Sequence, residues 1–317
     1  MEKIIVTGAT GFLGKHVMKV LEDYKDSYEI IGISSKDYDL RKEEDTKKMF
    51  EELKPNYIIH LAAKVGGILA NKEYPADFFY DNILILTYMF KYSAEYRIKR
   101  LLIPIGGCSY PSNAPSPIKE DYIWNGLPQI ESAPYSVAKR TALIQLYAYK
   151  KQYGLNCVVI IPGNMYGEFD NFSLKESHVI PALIRKFYEA KLYQKEVVEL
   201  WGTGKPIRDF VYVGDVAKLI PYFLLKYDGD SPINISRGEG ITIKELAEKI
   251  AKYIGYNGKI YWNTQYPDGQ MIKVFSVEKL HSLNLRCETS LDEGLVKTIN
   301  WFINNYEKVV RKYEDKV

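Results

Sequence analysis

The first fourteen residues constrain the fold more than any other part of the sequence. An apolar strand pattern, Ile4-Ile5-Val6, runs into Thr7-Gly8-Ala9-Thr10-Gly11-Phe12-Leu13-Gly14, and apolar residues then recur at helical spacing. Strand, glycine turn and helix in this order let a pyrophosphate approach the backbone at the positive N-terminal end of the helix. The stretch therefore predicts a dinucleotide site, and the plainer interpretation is a tight turn between a strand and a helix.

Continuous apolar runs further along predict strands that are buried on both faces, as a parallel sheet requires. The runs are at 57–62, 101–105 and 156–161, with helical patterns at 43–53, 76–97 and 135–153 between them. The sequence thus predicts an α/β fold with a doubly wound parallel sheet (Rossmann) over residues 1–163 and a smaller C-terminal substrate-binding region over 164–317. The segment at about 207–231 is expected to return to the first domain.

The second region alternates less regularly between helix and strand patterns. Loops are predicted at 163–167 and 170–172, strands at 197–201 and 208–213, and helices at 178–190, 215–225, 243–254 and 291–312.

The end of the second strand pattern decides between two nicotinamide cofactors. Glu29-Ile30-Ile31-Gly32-Ile33 is followed by Ser34, Ser35 and Lys36. An acidic residue at this strand end holds the ribose 2′-hydroxyl of NAD, whereas hydroxyls and a cation suit the 2′-phosphate of NADP. We therefore expect NADP, with the alternative that Asp37 selects NAD if the strand runs longer, and Asp39 is expected near the adenine.

A Tyr-x-x-x-Lys motif, Tyr135 to Lys139, lies within the helical pattern at 135–153. Positions i and i+4 of a helix share one face, so the phenol and the ammonium project side by side. A nearby cation favours the phenolate and brings proton exchange with a substrate oxygen within reach of neutral pH. The pair indicates carbonyl-to-alcohol chemistry, and a chance motif on a solvated face is the alternative in a chain with 27 tyrosines.

Composition and charge narrow the class of protein. The chain has 46% hydrophobic and 26% charged residues, a balance typical of globular proteins, and its net charge of +3 includes no basic block of the kind that nucleic-acid binding needs. Three cysteines without CxxC spacing predict neither a disulfide frame nor a metal site. No signal sequence or membrane-spanning run is recognisable, so we expect a cytoplasmic protein.

Several longer stretches resemble one family. They are His60-Leu61-Ala62-Ala63-Lys64-Val65-Gly66-Gly67-Ile68, Tyr74-Pro75-Ala76-Asp77-Phe78, Asp170-Asn171-Phe172, Ser177-His178-Val179-Ile180-Pro181-Ala182-Leu183 and Trp201-Gly202-Thr203-Gly204. With the glycine turn and the Tyr135/Lys139 pair, they resemble the GDP-L-fucose synthase family of extended short-chain dehydrogenases/reductases over nearly the whole chain. That family is NADPH-dependent and acts as a 3,5-epimerase/4-reductase on GDP-4-keto-6-deoxy-D-mannose. The superfamily resemblance also implies a homodimer through the helices at about 76–97 and 134–153.

The resemblance implies roles for four residues. Tyr135 is the acid that protonates the C4 oxygen as hydride arrives, and Lys139 lowers the pKa of Tyr135 and holds the nicotinamide ribose. Cys108 and His178 match the family's epimerase pair by position. Such a pair suits epimerisation, because the C4 ketone acidifies the C3 and C5 protons and inversion needs a base and an acid. From the residues alone, Cys108 is predicted to be a small buried hydrophobe, His178 the first residue of a helix, and His60 a structural strand residue.

The resemblance implies further contacts with both ligands. The cofactor-binding positions correspond to Gly8, Thr10, Gly11, Phe12, Leu13, Gly14, Ser34, Ser35, Lys36, Asp39, Leu40, Leu61, Ala62, Ala63, Tyr135, Lys139, Pro162, Asn164 and His178. The substrate-binding positions correspond to Val65, Gly66, Gly107, Ser109, Asn164, Lys186, Trp201, Arg208 and Lys273. Cations are expected there because the diphosphate of a GDP-sugar is negatively charged, and Lys186 stands where the family more often has Arg, which removes a bidentate contact.

One departure from the family affects the reacting carbon. Gly106 and Gly107 stand where the family has two serines, the first of which is the catalytic Ser or Thr. Losing such a donor typically costs about 2.7 to 4 kcal/mol of transition-state stabilisation, and Ser109 or a bound water is the candidate replacement. Two alternatives stay open: a stand-alone C4-reductase of a GDP-6-deoxy-4-keto-heptose, and a nucleotide-binding protein without catalysis.

Overall fold

The chain builds a large parallel sheet and a second, smaller assembly of strands and helices. A computed structural model describes residues 1–174 and 176–314, except for the side chains at 68, 69 and 312–314. The strands are β1 (Glu2–Thr7), β2 (Tyr28–Ile33), β3 (Tyr57–His60), β4 (Arg100–Pro104), β5 (Cys157–Pro162), β6 (Asn164–Tyr166), β7 (Val197–Trp201), β8 (Ile207–Tyr212), β9 (Ile233–Ile235), β10 (Gly240–Thr242), β11 (Lys259–Asn263) and β12 (Ile272–Lys273). The helices are α1 (Phe12–Leu21), α2 (Glu43–Leu53), α3 (Ile68–Glu73), α4 (Pro75–Glu95), α5 (Ala133–Tyr153), α6 (Val179–Leu192), α7 (Val213–Leu225), α8 (Ile243–Ile254), α9 (Glu278–Ser282), α10 (Leu291–Asn304) and α11 (Tyr306–Glu314). Within the described residues no helix is long and apolar enough to cross a bilayer.

The large sheet has six parallel strands in the order β2-β1-β3-β4-β5-β9. The chain moves outward from β1 to β2 and then crosses to β3 on the other side of β1, so the topological switch point lies between β1 and β3. Ligands of doubly wound folds bind at the carboxyl ends of the strands at such a point. The sheet confirms the predicted doubly wound α/β fold.

Alternate residues of the strands enter two different apolar cores. Ile5 of β1 belongs to the core that α2, α4 and α5 cover, with Phe50 and Leu146 from two of those helices. Ile4 and Val6 belong to the opposite core, which α1 and α7 cover. Both faces of the sheet are therefore buried, which explains why its strands are continuously apolar.

Much of the chain after β5 builds a third core. Helices α6, α8 and α10 pack there against β7 and β8, around Phe187, Leu246 and Phe302. Strand β8 pairs in parallel with β6 and β12 and antiparallel with β10. Helix α7 and strand β9 leave this region, because α7 packs on α1 and β9 adds the sixth strand to the large sheet.

Several elements differ from the sequence prediction. Residues 163–167, predicted as a loop, contain the three-residue strand β6, and β12 has only two residues. Both strands are defined by their pairing with β8. The loop after β3 continues into α3, which the sequence pattern does not predict. The helix predicted at 291–312 is interrupted at Asn305, whose side-chain Nδ2 donates to the carbonyl oxygen of Trp301 (2.8 Å) and so competes with the helical hydrogen bonds.

The turn after β1 requires glycine at two positions. Gly8 has a φ of +68°, and a Cβ there would lie 2.9 Å from the backbone nitrogen of Ala62. A Cβ on Gly14 would lie 2.2 Å from the carbonyl oxygen of Gly8. Gly8 permits the left-handed backbone and the close approach, and Gly14 lets α1 pack directly on the turn. The ends of β1 and β3 therefore meet closely at the switch point.

Candidate active site

The N-terminal end of α1 is open at the switch point. Gly11 is the residue before the helix, no side chain caps it, and the first turn contains no acidic residue. The N–H groups of a first helical turn have no partner within the helix, and the helix dipole favours an anion there. Thr10 and Gly11 are exposed and Phe12 is partly exposed, whereas Leu13 and Gly14 are buried. The predicted glycine turn thus offers mainly backbone donors to a pyrophosphate.

The turn after β2 has polar groups available for a ribose phosphate. The Asp37 carboxylate accepts hydrogen bonds from the backbone N–H (2.8 Å) and the hydroxyl (2.9 Å) of Ser34. Since β2 ends at Ile33, Asp37 stabilises this turn and does not extend the strand. Ser35 and Lys36 remain exposed. A hydroxyl and a cation at this place favour a 2′-phosphate.

Asp39 and Leu40 are occupied by protein contacts. The Asp39 carboxylate accepts two hydrogen bonds from the Arg41 guanidinium (2.8 and 2.9 Å), and these hydrogen bonds lower the pKa of Asp39. Leu40 is 6% exposed and belongs to the core beside α2. The Asp39 side chain therefore faces Arg41, and Leu40 packs in the core behind the turn that follows β2.

The segment after β3 forms the opposite wall. The Thr7 hydroxyl accepts a hydrogen bond from the N–H of Ala62 (3.1 Å) and shares another with Nδ1 of His60 (2.8 Å). His60 is fully buried, and burial lowers its pKa to about 3, so the ring is neutral at physiological pH. His60 is therefore structural, as the strand pattern indicates. Leu61, Ala62 and Ala63 stay partly exposed along this wall.

Tyr135 and Lys139 lie one turn apart on α5. Lys139 is 3% exposed, and the Tyr135 ring packs edge-on against Phe78 of α4, with 6.4 Å between ring centroids. Burial lowers the pKa of Lys139 to about 8, whereas burial and then Cys108 raise the pKa of Tyr135. The expected lowering of the Tyr135 pKa is absent, because burial disfavours the phenolate. Tyr135 is thus protonated at neutral pH, the form that donates a proton.

Cys108 belongs to the same site. It lies in the short 3-10 turn Gly107–Ser109 after β4, and its side chain is partly exposed, unlike the buried Cys157. A thiolate here would interact electrostatically with Tyr135, Lys139 and Lys273. Cys108 is therefore not the small buried hydrophobe of the plainer interpretation.

The two glycines before Cys108 have different surroundings. A Cβ on Gly107 would lie 2.4 Å from Cζ of Phe275, so that ring fills the space that a side chain would occupy. A Cβ on Gly106 would meet only atoms of Cys108 within 4 Å, with Sγ at 3.1 Å. The φ of −73° and ψ of 150° at Gly106 suit any residue. Gly106 leaves open space beside Cys108, whereas Gly107 does not.

Ser109 does not face the cleft, contrary to the expectation that it contacts substrate or replaces the missing hydroxyl. It is fully buried, and its hydroxyl donates to the carbonyl oxygen of Ser136 (3.4 Å). Its own carbonyl oxygen accepts hydrogen bonds from the Arg140 guanidinium. These contacts fasten the turn after β4 to α5.

His178 precedes α6 as its N-cap residue, and its side chain is exposed. Desolvation by the surrounding protein lowers the pKa of His178, as expected for a side chain on the wall of an open cleft. Within residues 1–174 and 176–314 no hydrogen bond joins it to Cys108 or Tyr135. A Cβ on Gly67 would lie 2.7 Å from the carbonyl oxygen of Glu176, so the loop after β3 touches the segment that carries His178.

Helix α4 holds the loop after β3. Asn82 is 1% exposed; its Oδ1 accepts from the N–H of Lys64 (3.2 Å) and its Nδ2 donates to the carbonyl oxygen of Lys64 (2.9 Å). A Cβ on Gly66 would lie 2.9 Å from Cζ of Phe78. Val65 is 68% exposed and is left free for a ligand. Sequence reasoning missed Asn82, and a single amide among the apolar residues of that helical pattern was the available signal.

Cations and polar groups of the second region line the cleft. Lys273 of β12 lies beside Arg208 of β8 in parallel register, and Nδ2 of Asn164 donates to the carbonyl oxygen of Asp209 (2.8 Å). Desolvation lowers the pKa of both Lys273 and Arg208, although both side chains remain partly exposed. Groups that are surrounded by protein and still open to solvent line a cleft.

Three more predicted positions, Lys186, Trp201 and Pro162, lie outside the group around Tyr135. The Lys186 ammonium lies 5.5 Å from the ring centroid of Trp201 and donates to the carbonyl oxygen of Glu199 (3.4 Å). Pro162 is buried at the end of β5. Since Lys273 interacts electrostatically with both Arg208 and Cys108, the cations and the Tyr135/Lys139 pair form one continuous site.

The sheet, the glycine turn at its switch point and the Tyr135/Lys139 pair define a dinucleotide-dependent oxidoreductase of the Rossmann type. Residues 4–236 match the NAD dependent epimerase/dehydratase family, and the chain belongs to this family.

The chain is similar in sequence and structure to several individual proteins of known activity. The chain is 37% identical over 303 residues to GDP-L-fucose synthase 1 of Arabidopsis thaliana, which covers 96% of this chain and 94% of that relative. A GDP-L-fucose synthetase from Naegleria fowleri bound to NADP matches 96% of this chain and 94% of its own, with a TM-score of 0.90 and 29% identity. A GDP-6-OMe-4-keto-L-xylo-heptose reductase from C. jejuni matches 96% and 98%, with a TM-score of 0.87 and 28% identity. These similarities confirm the resemblance to GDP-L-fucose synthases.

Asp170, in the loop before α6, generates a prediction about stability and pH. It is 7% exposed, its Oδ1 accepts from the N–H of Asn171 (2.7 Å), and its Oδ2 has no partner among the described residues. Burial raises the pKa of Asp170 from 3.8 to about 7. Between these values the folded protein keeps a proton that the unfolded chain has lost, so this carboxyl contributes stability at low pH that is lost as pH rises to about 7.

We therefore expect Asp170→Asn to gain stability relative to the unsubstituted protein as pH rises from about 4 to 8. The free energy of unfolding in urea at several pH values measures this difference. The exposed Asp26→Asn serves as the control and should show a difference that changes little with pH. A pH-independent difference for Asp170→Asn would contradict the burial of an ionisable carboxyl.

Proposed function

We propose that the chain is an NADPH-dependent reductase of the C4 ketone of a GDP-4-keto-6-deoxy sugar. One observation carries the proposal: protonated Tyr135 and buried Lys139 lie with Cys108 and Lys273 in one cleft at the carboxyl edge of the sheet. A proton donor next to cations suits a carbonyl oxygen that becomes an alkoxide. The names of the similar proteins support a GDP-sugar as substrate.

The residues divide into a cofactor half and a sugar-nucleotide half. Backbone donors of the Gly8 to Gly14 turn would hold the pyrophosphate, and Ser35 and Lys36 the 2′-phosphate. The bound NADPH supplies hydride to C4. Tyr135 donates its proton to the C4 oxygen, and the Lys139 ammonium stabilises the resulting phenolate. Lys273 and Arg208 would pair with the diphosphate of the substrate.

We also propose a division into a cofactor-binding and a sugar-nucleotide-binding region, a cytoplasmic location and a site without a metal ion. Residues 1–163 would bind the cofactor, together with α7 of the segment at about 207–231, which packs on α1. Residues 164–317, including Arg208 of β8, would bind the sugar nucleotide. The three cysteines are unpaired, which fits a reducing cytoplasm.

Epimerisation at C3 and C5 is proposed as a second activity, with Cys108 and His178 as the acid–base pair. Cys108 lies beside Tyr135, and His178 is exposed on the cleft wall. Wild-type enzyme in D2O should give a C3/C5-inverted product that carries deuterium at both carbons. Cys108→Ala should reduce the ketone while inversion falls by roughly 10²-fold or more, the usual contribution of an acid–base group.

Proton NMR of the products measures both outcomes, and Cys108→Ser provides the conservative variant. An inverted product from Cys108→Ala would remove Cys108 from the epimerase role. Reduction by wild-type enzyme without deuterium at C3 and C5 would instead favour the stand-alone C4-reductase.

The open space at Gly106 favours this alternative, a C4-reductase of a longer GDP-linked sugar, as the second candidate function. A Cβ there would meet only Cys108, so a substituent of the sugar or a water could occupy the space. A heptose reductase is among the structurally similar proteins. Gly107 does not contribute to this space, because Phe275 fills it.

Gly106→Ser tests the two candidates against each other. If the substrate is the 6-deoxyhexose, the serine places a hydrogen-bond donor near the C4 oxygen, and kcat for its reduction should rise roughly tenfold or more. Steady-state NADPH oxidation measures kcat, and Gly106→Ala is the matched control that adds the Cβ without the hydroxyl. A fall in activity with both variants would show that substrate needs the space.

We also propose a homodimer through α4 and α5. Tyr80 (62%) on α4 and Ile144 (56%) and Tyr147 (63%) on α5 are exposed, and Phe79 and Ile130 line an apolar depression nearby. Contiguous exposed apolar side chains favour an interface. Tyr147→Glu should shift the protein from dimer to monomer in analytical ultracentrifugation, whereas Leu192→Glu, at an exposed leucine at the end of α6, should not. A dimer that persists in Tyr147→Glu would contradict this interface.

A further inference from the structure

Two exposed aromatic rings stack at the end of the cleft that carries Lys186. Trp201, the last residue of β7, is 53% exposed, and Tyr266, in the loop after β11, is 42% exposed. Their ring centroids are 4.3 Å apart and their planes differ by 15°. Large stacked rings that both face solvent leave apolar surface in water, and a planar ligand can cover such surface.

The loop that carries Tyr266 is anchored on both sides of the ring. Before it, Asn263 pairs with Trp201 in the β7–β11 register, and its carbonyl oxygen accepts from the N–H of Gly202 (3.0 Å). After it, Asp268 accepts from the N–H (2.8 Å) and hydroxyl (2.6 Å) of Thr203. Between these anchors Tyr266 donates only a long backbone hydrogen bond (3.4 Å) within the described residues. The loop is thus anchored at both ends, and no side-chain hydrogen bond holds the Tyr266 ring within the described residues.

The stacked pair continues into the cationic part of the site. Lys186 lies 5.5 Å from the Trp201 ring centroid. Asp268 interacts electrostatically with Arg208, and Arg208 with Lys273, which in turn interacts with Cys108. An aromatic pair, then cations, then a proton donor is the order in which a nucleoside diphosphate sugar presents its base, its diphosphate and its reacting carbon.

We propose that Tyr266 is a specificity-determining residue that clamps the purine base of the sugar nucleotide against Trp201. This inference rests on the proposed function. A base between two rings needs each ring about 3.5 Å away, hence a separation of about 7 Å. The 4.3 Å separation of the two rings is too short for a base between them, so binding in this way requires Tyr266 to move outward by roughly 3 Å.

Isothermal titration with GDP tests the clamp. Stacking of a base on an aromatic ring contributes enough that Tyr266→Ala should bind GDP roughly tenfold more weakly, whereas Tyr266→Phe should bind it nearly as tightly as the unsubstituted protein. The loss with substrate should appear in KM and not in kcat, because the base lies at the far end of the cleft from Tyr135. Tyr253→Ala, which removes a partly exposed tyrosine of α8, is the control and should leave the GDP affinity unchanged.

The outcomes separate the clamp from the function on which it rests. Tight GDP binding that is equal or stronger in Tyr266→Ala overturns the clamp and leaves the proposed function in place. GDP binding by unsubstituted protein that is no tighter than UDP binding overturns the assignment of a GDP-sugar, and the clamp with it. NADPH affinity, measured in the same variants, reports that the fold is intact.

Discussion

Two backbone segments approach each other closely at the switch point, and this contact positions the cofactor turn, the proton donor and the cleft wall. The Gly8 turn lies so near the chain after β3 that a Cβ would come within 2.9 Å of the Ala62 nitrogen. That contact places the open end of α1 beside the Leu61-Ala62-Ala63 wall. The same loop continues to Gly66 and Gly67, which touch Phe78 beside Tyr135 and the segment before His178. Cofactor turn, proton donor and cleft wall are therefore positioned by one stretch of chain.

Burial sets the chemistry of the catalytic pair more than pairing does. Lys139 is 3% exposed, and burial lowers its pKa from 10.5 to about 8. The same burial keeps Tyr135 protonated. The fold thus maintains a protonated tyrosine beside a lysine that is still mostly charged at neutral pH. An anionic group that develops on substrate or on Tyr135 strengthens the charged form of Lys139.

The sequence predicts elements well where their own side chains determine them. Helix Glu43–Leu53, helix Ile243–Ile254 and strand Val197–Trp201 have the predicted bounds, because apolar periodicity and end signals lie within each segment. Strands β6 and β12 escape prediction because their identity comes from β8, and it is β12 that sets Lys273 beside Arg208.

The site residues also differ in whether their own segment or a distant part of the chain determines their position. Motif residues such as Tyr135, Lys139 and Cys108 come together in the structure, since each lies on an element that the sheet positions. Ser109 turns inward to Ser136, and the space at Gly107 is filled mainly by Phe275, which lies far away in sequence. Tyr266 carries no signal of its own until β11 pairs with β7 and places it on Trp201. Contacts with residues that are distant in sequence determine the surroundings of Ser109, Gly107 and Tyr266.

Transfer of a labelled hydride from NADPH to the sugar tests the proposed reduction at C4. The enzyme would be incubated with GDP-4-keto-6-deoxy-D-mannose and NADPH that carries deuterium at C4 of the nicotinamide, and the purified product would be examined by NMR and mass spectrometry. A C4-ketoreductase places one deuterium at C4 of the sugar, and Tyr135→Phe should be slower by roughly 10²-fold or more. NADPH that binds tightly while no label reaches this sugar or a longer GDP-4-keto sugar would contradict the reductase and leave a nucleotide-binding protein.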